Sequence, residues 1–151
     1  MIVYPSTPEQ EAALALFILQ HALVKPSADA RHIGWVDNSN PDKPMLLGVV
    51  CFNTFIGSTC QLHVAMRGER TFADLEFPQT VFDIVFNKLG LKKIFGTVNS
   101  KNDKAMRLNT SLGYEEEHRM PGLHDDGGDI VLFSMTKDQC RFLRQAEPEI
   151  A

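Results

Sequence analysis

Between Lys92 and Tyr114 the chain reads KKIFGTVNSKNDKAMRLNTSLGY, and this stretch constrains the fold more than any other. Lys93-Ile94-Phe95-Gly96-Thr97-Val98 is β-branched and aromatic between turn residues, which is the composition of a short strand. Asn99 to Asn102 is polar turn chemistry. From Asp103 the apolar positions Ala105, Leu108 and Leu112 return at three- and four-residue intervals, so they share one helical face. Gly113 then stands where a left-handed residue ends a helix. Strand, tight turn, helix, glycine stop and a further strand from Tyr114 make an α/β unit, whose strands need a sheet and whose helix needs an apolar layer.

The rest of the chain supplies both. Ile2-Val3-Tyr4 is apolar enough for a short first strand. Thr7-Pro8-Glu9-Gln10 reads as a capping box, with Thr7 as N-cap, Pro8 first in the helix and Gln10 reaching back. The helix that follows, to about His21, is rich in Ala and Leu and apolar nearly all round, which predicts deep burial. His21 is read as a surface residue at a helix end, without a function. Arg31 to Asp37 predicts a strand, 38–44 a turn cluster, Met45 to Phe55 a long strand buried on both faces, and Thr59 to Met66 another. Asp74 to Phe77 can form a turn of helix, and Pro78 starts a clearer one. Its stripe Val81, Phe82, Val85, Phe86 and Leu89 is core packing closed by Gly90. Tyr114 to Met120 and Asp129 to Thr136 alternate as strands around the turn 121–128, and Asp138 to Arg144 predicts a last short helix. Residues 1–144 form one domain on this reading, with 145–151 a loose tail.

Composition narrows the function class. A chain of 151 residues is one domain, long enough to bury a sizeable core. A net charge of −4 without a basic stripe argues against a nucleic-acid surface. No stretch approaches the ~20 apolar residues of a membrane span, and no signal-peptide pattern opens the chain, so the expectation is a cytoplasmic protein without a membrane partner. Cys51, Cys60 and Cys140 lack metal-type spacing and read as buried free thiols. His124, Asp125, Asp126 and Asp129 offer oxygen-rich ligands for a hard cation, but Asp-Gly and Gly-Gly are also ordinary hairpin chemistry, and no metal is assigned.

The pattern Val98-x-x-x-Asn102-x-x-Ala105-x-x-Leu108-x-x-x-Leu112-Gly113-Tyr114 resembles the V-x-x-x-N-x-x-A/S-x-x-L-x-x-x-L-G-F segment of the GNAT superfamily of N-acetyltransferases. The likeness runs from about Leu47 to Cys140. It is most similar to the branch that acetylates N-termini of ribosomal proteins and to short phage-encoded relatives. The resemblance implies a mixed, mainly antiparallel sheet with helices on both faces. It also implies acetyl-CoA as cosubstrate without a metal, and a primary amine, of a protein or peptide, as acceptor. Oligomeric state stays open between monomer and homodimer, and a phage-encoded protein would work in the host cytoplasm.

By that resemblance the cofactor residues are Val64, Ala65 and Met66, offering backbone groups to the pantetheine, then Arg67, Gly68, Glu69, Arg70, Thr71 and Phe72 as the phosphate loop, with Asn102 and Arg107. Glycines in such a loop let backbone amides approach phosphate at a helix start. Here Arg70 and Phe72 stand where small residues are expected, and a solvated basic turn is the other reading of the stretch. Asn102 is expected to contact the coenzyme arm or a water, to cap the helix, or both.

Acetyl transfer needs a neutral amine, and a lysine with pKa ~10.4 is less than about 0.1% deprotonated at pH 7. An α-amino group with pKa ~8 needs far less help. His63, on the strand before the loop, is the candidate base, because histidine titrates near working pH; a hydrogen-bonded strand histidine is the alternative. Gln61, two residues earlier on the same strand face, could orient a water. Asn109 occupies the position where many members of the superfamily carry a tyrosine acid, which leaves Ser111 or solvent to protonate the thiolate. That gap also admits a domain of this fold without turnover, a phage factor that binds a host protein.

Overall fold

The computed structural model describes residues 1–22, 25, 27–67 and 76–143. The strands are β1 (Ile2–Val3), β2 (Arg31–Asp37), β3 (Met45–Ile56), β4 (Thr59–Met66), β5 (Lys93–Asn99), β6 (Glu115–Met120) and β7 (Ile130–Thr136). They make one sheet in the order β1-β2-β3-β4-β5-β7-β6. Every neighbouring pair is antiparallel except β4 and β5, which run parallel. Helices α1 (Pro8–Ala22), α2 (Glu76–Asp83) and α3 (Asp103–Leu112) complete the chain. This is the mixed, mainly antiparallel sheet expected above, helices included, with strand boundaries within a residue or two of the sequence pattern.

Period-two burial sorts the sheet into two faces. On one, Val49, Cys51 and Ala65 meet Leu14, Phe17 and Ile18 of α1. On the other, Val50, Phe52, Leu62 and Ile94 meet Phe77, Val81, Phe82 and Val85. Gly34 lets α1 approach, because a Cβ there would stand 3.0 Å from a methyl of Leu14. The three cysteines are buried free thiols.

Helix starts follow the capping chemistry. Thr7 Oγ1 accepts from the Gln10 N–H at 3.2 Å, and Gln10 Oε1 accepts from the Ser6 N–H at 2.8 Å, so the return bond lands one residue earlier than a capping box predicts. Asn102 Oδ1 accepts from the Ala105 N–H at 3.1 Å, and Gly113, with φ 101°, stops α3. Only a glycine takes that left-handed angle cheaply.

Four expectations are corrected. Helix α1 is not buried all round: Leu16 is 53% exposed, because one sheet covers only one side of it. Leu89 leaves the α2 stripe and is 51% exposed. After Asp83 the helix widens into a π turn over Ile84–Lys88, with the Leu89 N–H bonded to the Ile84 carbonyl five residues back, which rotates Leu89 off the core face. The helix also begins at Glu76, with Pro78 in its first turn, where a missing N–H costs nothing. The last helix reduces to a 3₁₀ turn, Lys137–Gln139, closed by the Thr136–Gln139 box. Arg144 and the tail 145–151 lie outside the described residues.

Candidate functional site

Strands β4 and β5 pair only at Thr59 with Lys93, Cys60 with Ile94 and Gln61 with Phe95. Beyond that point they diverge. At the apex a Cβ on Gly96 would sit 3.1 Å from the Leu62 carbonyl oxygen, so a side chain there would push the strands apart by a few tenths of an ångström and glycine suits their close approach.

The divergence leaves backbone groups unpaired. The Arg67 N–H donates to the Leu47 carbonyl at 2.8 Å, and the β3–β4 register sets Ala65 opposite Val49 and His63 opposite Cys51. Antiparallel alternation then turns the N–H and C=O of Ala65 and His63 toward β3, and those of Val64 and Met66 toward the gap. Val64 and Met66 therefore fit the predicted role in holding an amide-bearing arm. Ala65 does not, because its backbone groups belong to the sheet.

A cavity of about 1170 Å³ occupies the gap and reaches both faces of the sheet. Gln61, His63 and Thr97 line it on the α1 face, and Leu62, Val64 and Val98 line it on the other. The α1 side is polar, with Asn53 on its wall and His21, Lys25, His124, Asp125 and Asp126 also lining the cavity. The α3 side has an apolar floor, Leu62, Leu108, Leu112 and Phe142, and basic residues Lys104, Arg107 and Arg141. Arg141 donates to the Ser111 carbonyl, and its guanidinium lies 4.6 Å over the Phe142 ring.

His63 accordingly sits at the gap, on the polar side. Burial pushes its imidazole down to about 4, so the ring is neutral at pH 7 and the expectation that it titrates near working pH is corrected. It has no hydrogen-bond partner among the described residues, and no side-chain nitrogen is both sealed and unpaired, so its ring nitrogens open on the cavity.

The remaining predicted residues divide. Asn102 and Arg107 line the cavity. Arg67 does not: its Nε donates to the Leu46 carbonyl at 2.8 Å and its guanidinium lies 5.5 Å over Phe17, which draws the side chain to α1. Gly68, Glu69, Arg70, Thr71 and Phe72 lie outside the described residues. Asn109 Nδ2 donates to the Ala105 carbonyl at 3.0 Å and Ser111 Oγ to the Leu108 carbonyl at 2.8 Å, so both are spent on their own helix.

Sequence reasoning missed Tyr114, Asn53, His21 and Arg141. Tyr114 lines the cavity with its phenol held well above the usual range by burial, hence protonated. Only its place after Gly113 hinted at it. His21 stacks on Phe17 at 4.1 Å, one turn away on α1. A helix-end histidine carries no signal of what it will face.

The hairpin loop is latched in place. Asp126 accepts from Asn99 Nδ2 at 2.8 Å and from the Gly128 N–H at 2.9 Å, while Asp129 accepts from Arg119 at 3.2 Å and from the Gly122 N–H at 3.0 Å. These bonds depress both carboxyls below the usual range and spend them on structure. Among the described residues no group of three or more His, Cys, Asp or Glu side chains could hold a metal.

No protein-family model and no curated protein matches the chain. Solved structures do. A spermidine N-acetyltransferase from Vibrio cholerae, in complex with CoA and spermine, superposes with TM-score 0.69 at 15% identity over 92% of this chain and 96% of that one. A chimera of the Vibrio cholerae enzyme superposes with TM-score 0.60 at 21% identity, over 75% and 69%. An acetyltransferase of the GNAT family from Bacillus anthracis gives 0.58 at 15%, over 71% and 66%. The chain has the GNAT fold.

Proposed function

We propose that this protein is an acetyl-CoA-dependent N-acetyltransferase that moves acetyl to the primary amine of a protein or peptide by direct attack. The observation that carries the reading is the single cavity passing through the sheet where β4 and β5 part, polar on one face and apolar with basic residues on the other. Two reactants entering from opposite faces meet at the gap, so no covalent enzyme intermediate is needed. CoA in a solved structure of the same fold, and polyamine acetylation by that protein, support acyl transfer to an amine.

The arm of acetyl-CoA suits the α3 side. The outward N–H and C=O of Val64 and Met66 can hold its amides, Leu62 and Phe142 its methylenes, and Arg107 and Arg141 its phosphates. The thioester supplies the electrophilic carbon. On the α1 side, His63 accepts at an open ring nitrogen the proton that the amine loses as it bonds. A base held at about 4 cannot deprotonate a lysine ammonium efficiently, so the reading favours an α-amino group, pKa ~8, that arrives neutral. Tyr114 is the phenol within the cavity that can protonate the departing thiolate, in place of a tyrosine at position 109. The likeness to the branch acting on ribosomal-protein N-termini supports the same acceptor.

A second reading, a binding module without turnover, is favoured by Asn109, whose amide is tied to its own helix. Calorimetric titration with acetyl-CoA separates the two. The transferase reading expects micromolar affinity and acetylation of a test peptide; absence of heat at millimolar ligand would leave the binding module standing.

A further inference from the structure

Three polar side chains count as buried among the described residues: His32, Asn53 and Ser134. Two have carboxylate partners, His32 with Glu11 at 2.6 Å and Ser134 with Glu117. Asn53 is different. At 7% exposure, its one side-chain hydrogen bond among the described residues is accepted by Oδ1 from the Thr54 hydroxyl, at 3.4 Å. Its Nδ2 has no partner among the described residues, yet no side-chain nitrogen there is sealed and unpaired. The amide nitrogen therefore opens on the cavity that Asn53 lines.

The backbone maintains this arrangement at a cost. Thr54 holds φ 52°, the one described non-glycine residue at positive φ, and β3 slips register between Asn53 and Ile56. A β-branched residue avoids that region, and such bulges re-aim side chains next to functional sites. The same hydroxyl of Thr54 contacts Gln61 Oε1 at 3.4 Å, and Gln61 Nε2 donates to Thr97 Oγ1 at 3.4 Å. One hydroxyl hydrogen serves only one of the two oxygens at a time, so Gln61 is held through its Nε2 bond to Thr97, while Asn53 Nδ2 has no partner among the described residues.

We infer that Asn53 sets acceptor specificity: its carboxamide donates to an oxygen carried close to the acceptor amine. The acceptor is then an amine with a neighbouring carbonyl or hydroxyl oxygen, as an amino-acyl terminus has, in preference to a polyamine. A polyamine presents only N–H donors and methylenes, and a buried donor facing it stays unpaired, which costs discrimination. The charge on this side agrees, because Asp126 is committed to Asn99 and Gly128, leaving Asp125 as the carboxylate on the cavity wall without a recorded bond.

This inference rests on the acyl-transfer reading. The test measures kcat and KM at saturating acetyl-CoA for alanyl-alanine amide and for spermidine, in the parent chain and in Asn53→Ala, Asn53→Asp and Asn53→Ser. The parent should favour the dipeptide amide. Asn53→Ala should lower kcat/KM for it by about tenfold, through KM, and leave spermidine within about twofold. Asn53→Asp, which replaces donor by acceptor, should reverse the preference, and Asn53→Ser, which keeps a donor, should restore part of it. A parent that prefers spermidine, or a loss shared equally by both amines, overturns the assignment of Asn53 alone. Transfer to neither amine overturns the acyl-transfer reading and this inference with it.

Discussion

The two faces of the β4–β5 gap share one opening and differ in nearly everything else. On the α1 face the walls are short polar side chains and a neutral imidazole, while on the α3 face an apolar floor meets Lys104, Arg107 and Arg141. The difference follows from strand alternation. Odd positions of β4, Gln61 and His63, face one way, and even positions, Leu62 and Val64, face the other. A splayed pair of strands thereby presents two chemistries within a few residues, and an anionic ligand with an apolar arm has a side distinct from that of an amine.

The comparison breaks most sharply at His63. Replacing it by Gln removes the proton acceptor on the polar face and should cut kcat by about 10²- to 10⁴-fold while acetyl-CoA affinity holds; steady-state kinetics with parallel calorimetry reads both. Equal loss of affinity would place His63 on the wrong face.

A stability effect of the same residue comes next. Burial lowers the imidazole from 6.5 to about 4, so the unfolded chain binds the proton first. Its contribution is complete above pH 6.5 and declines as pH falls toward 4, by about 3 kcal/mol in all. Urea melts of the parent between pH 7 and 4 should show that slope, and His63→Gln should flatten it. Parallel curves would contradict the burial.

Smaller still is a backbone test of the other face. Val64→Pro deletes an N–H that points into the gap and should weaken acetyl-CoA binding by about tenfold, or about 1.4 kcal/mol. Ala65→Pro deletes one bonded to β3 and should lower the melting temperature instead. If both variants behave alike, the strand alternation drawn above is wrong. The smallest change is expected from Arg107→Glu, a several-fold loss of acetyl-CoA affinity at low salt that shrinks at high salt, because the side chain is exposed and screened.

Much of this was legible beforehand. The Asn102 cap, the Gly113 stop and the bounds of β4 are local events, set by a residue's own hydrogen bonds and φ, and local chemistry is written in the sequence. Leu89 was misplaced because a π turn is a packing compromise with no composition of its own. Arg67 was misassigned because its choice between a phosphate and the Phe17 ring depends on a helix fifty residues earlier.

By itself, then, the sequence determined the strand bounds to within a residue or two and the start and stop of α3, and its resemblance to a family singled out His63, Val64 and Asn102. Only the tertiary structure decided that β4 and β5 separate after Gln61, which backbone edges face the space between them, how far burial lowers His63, and that Asn53 and Tyr114 open on the same cavity. Those properties arise from solvent exclusion and from pairing between segments distant in the chain, and neither is a property of any single stretch of residues.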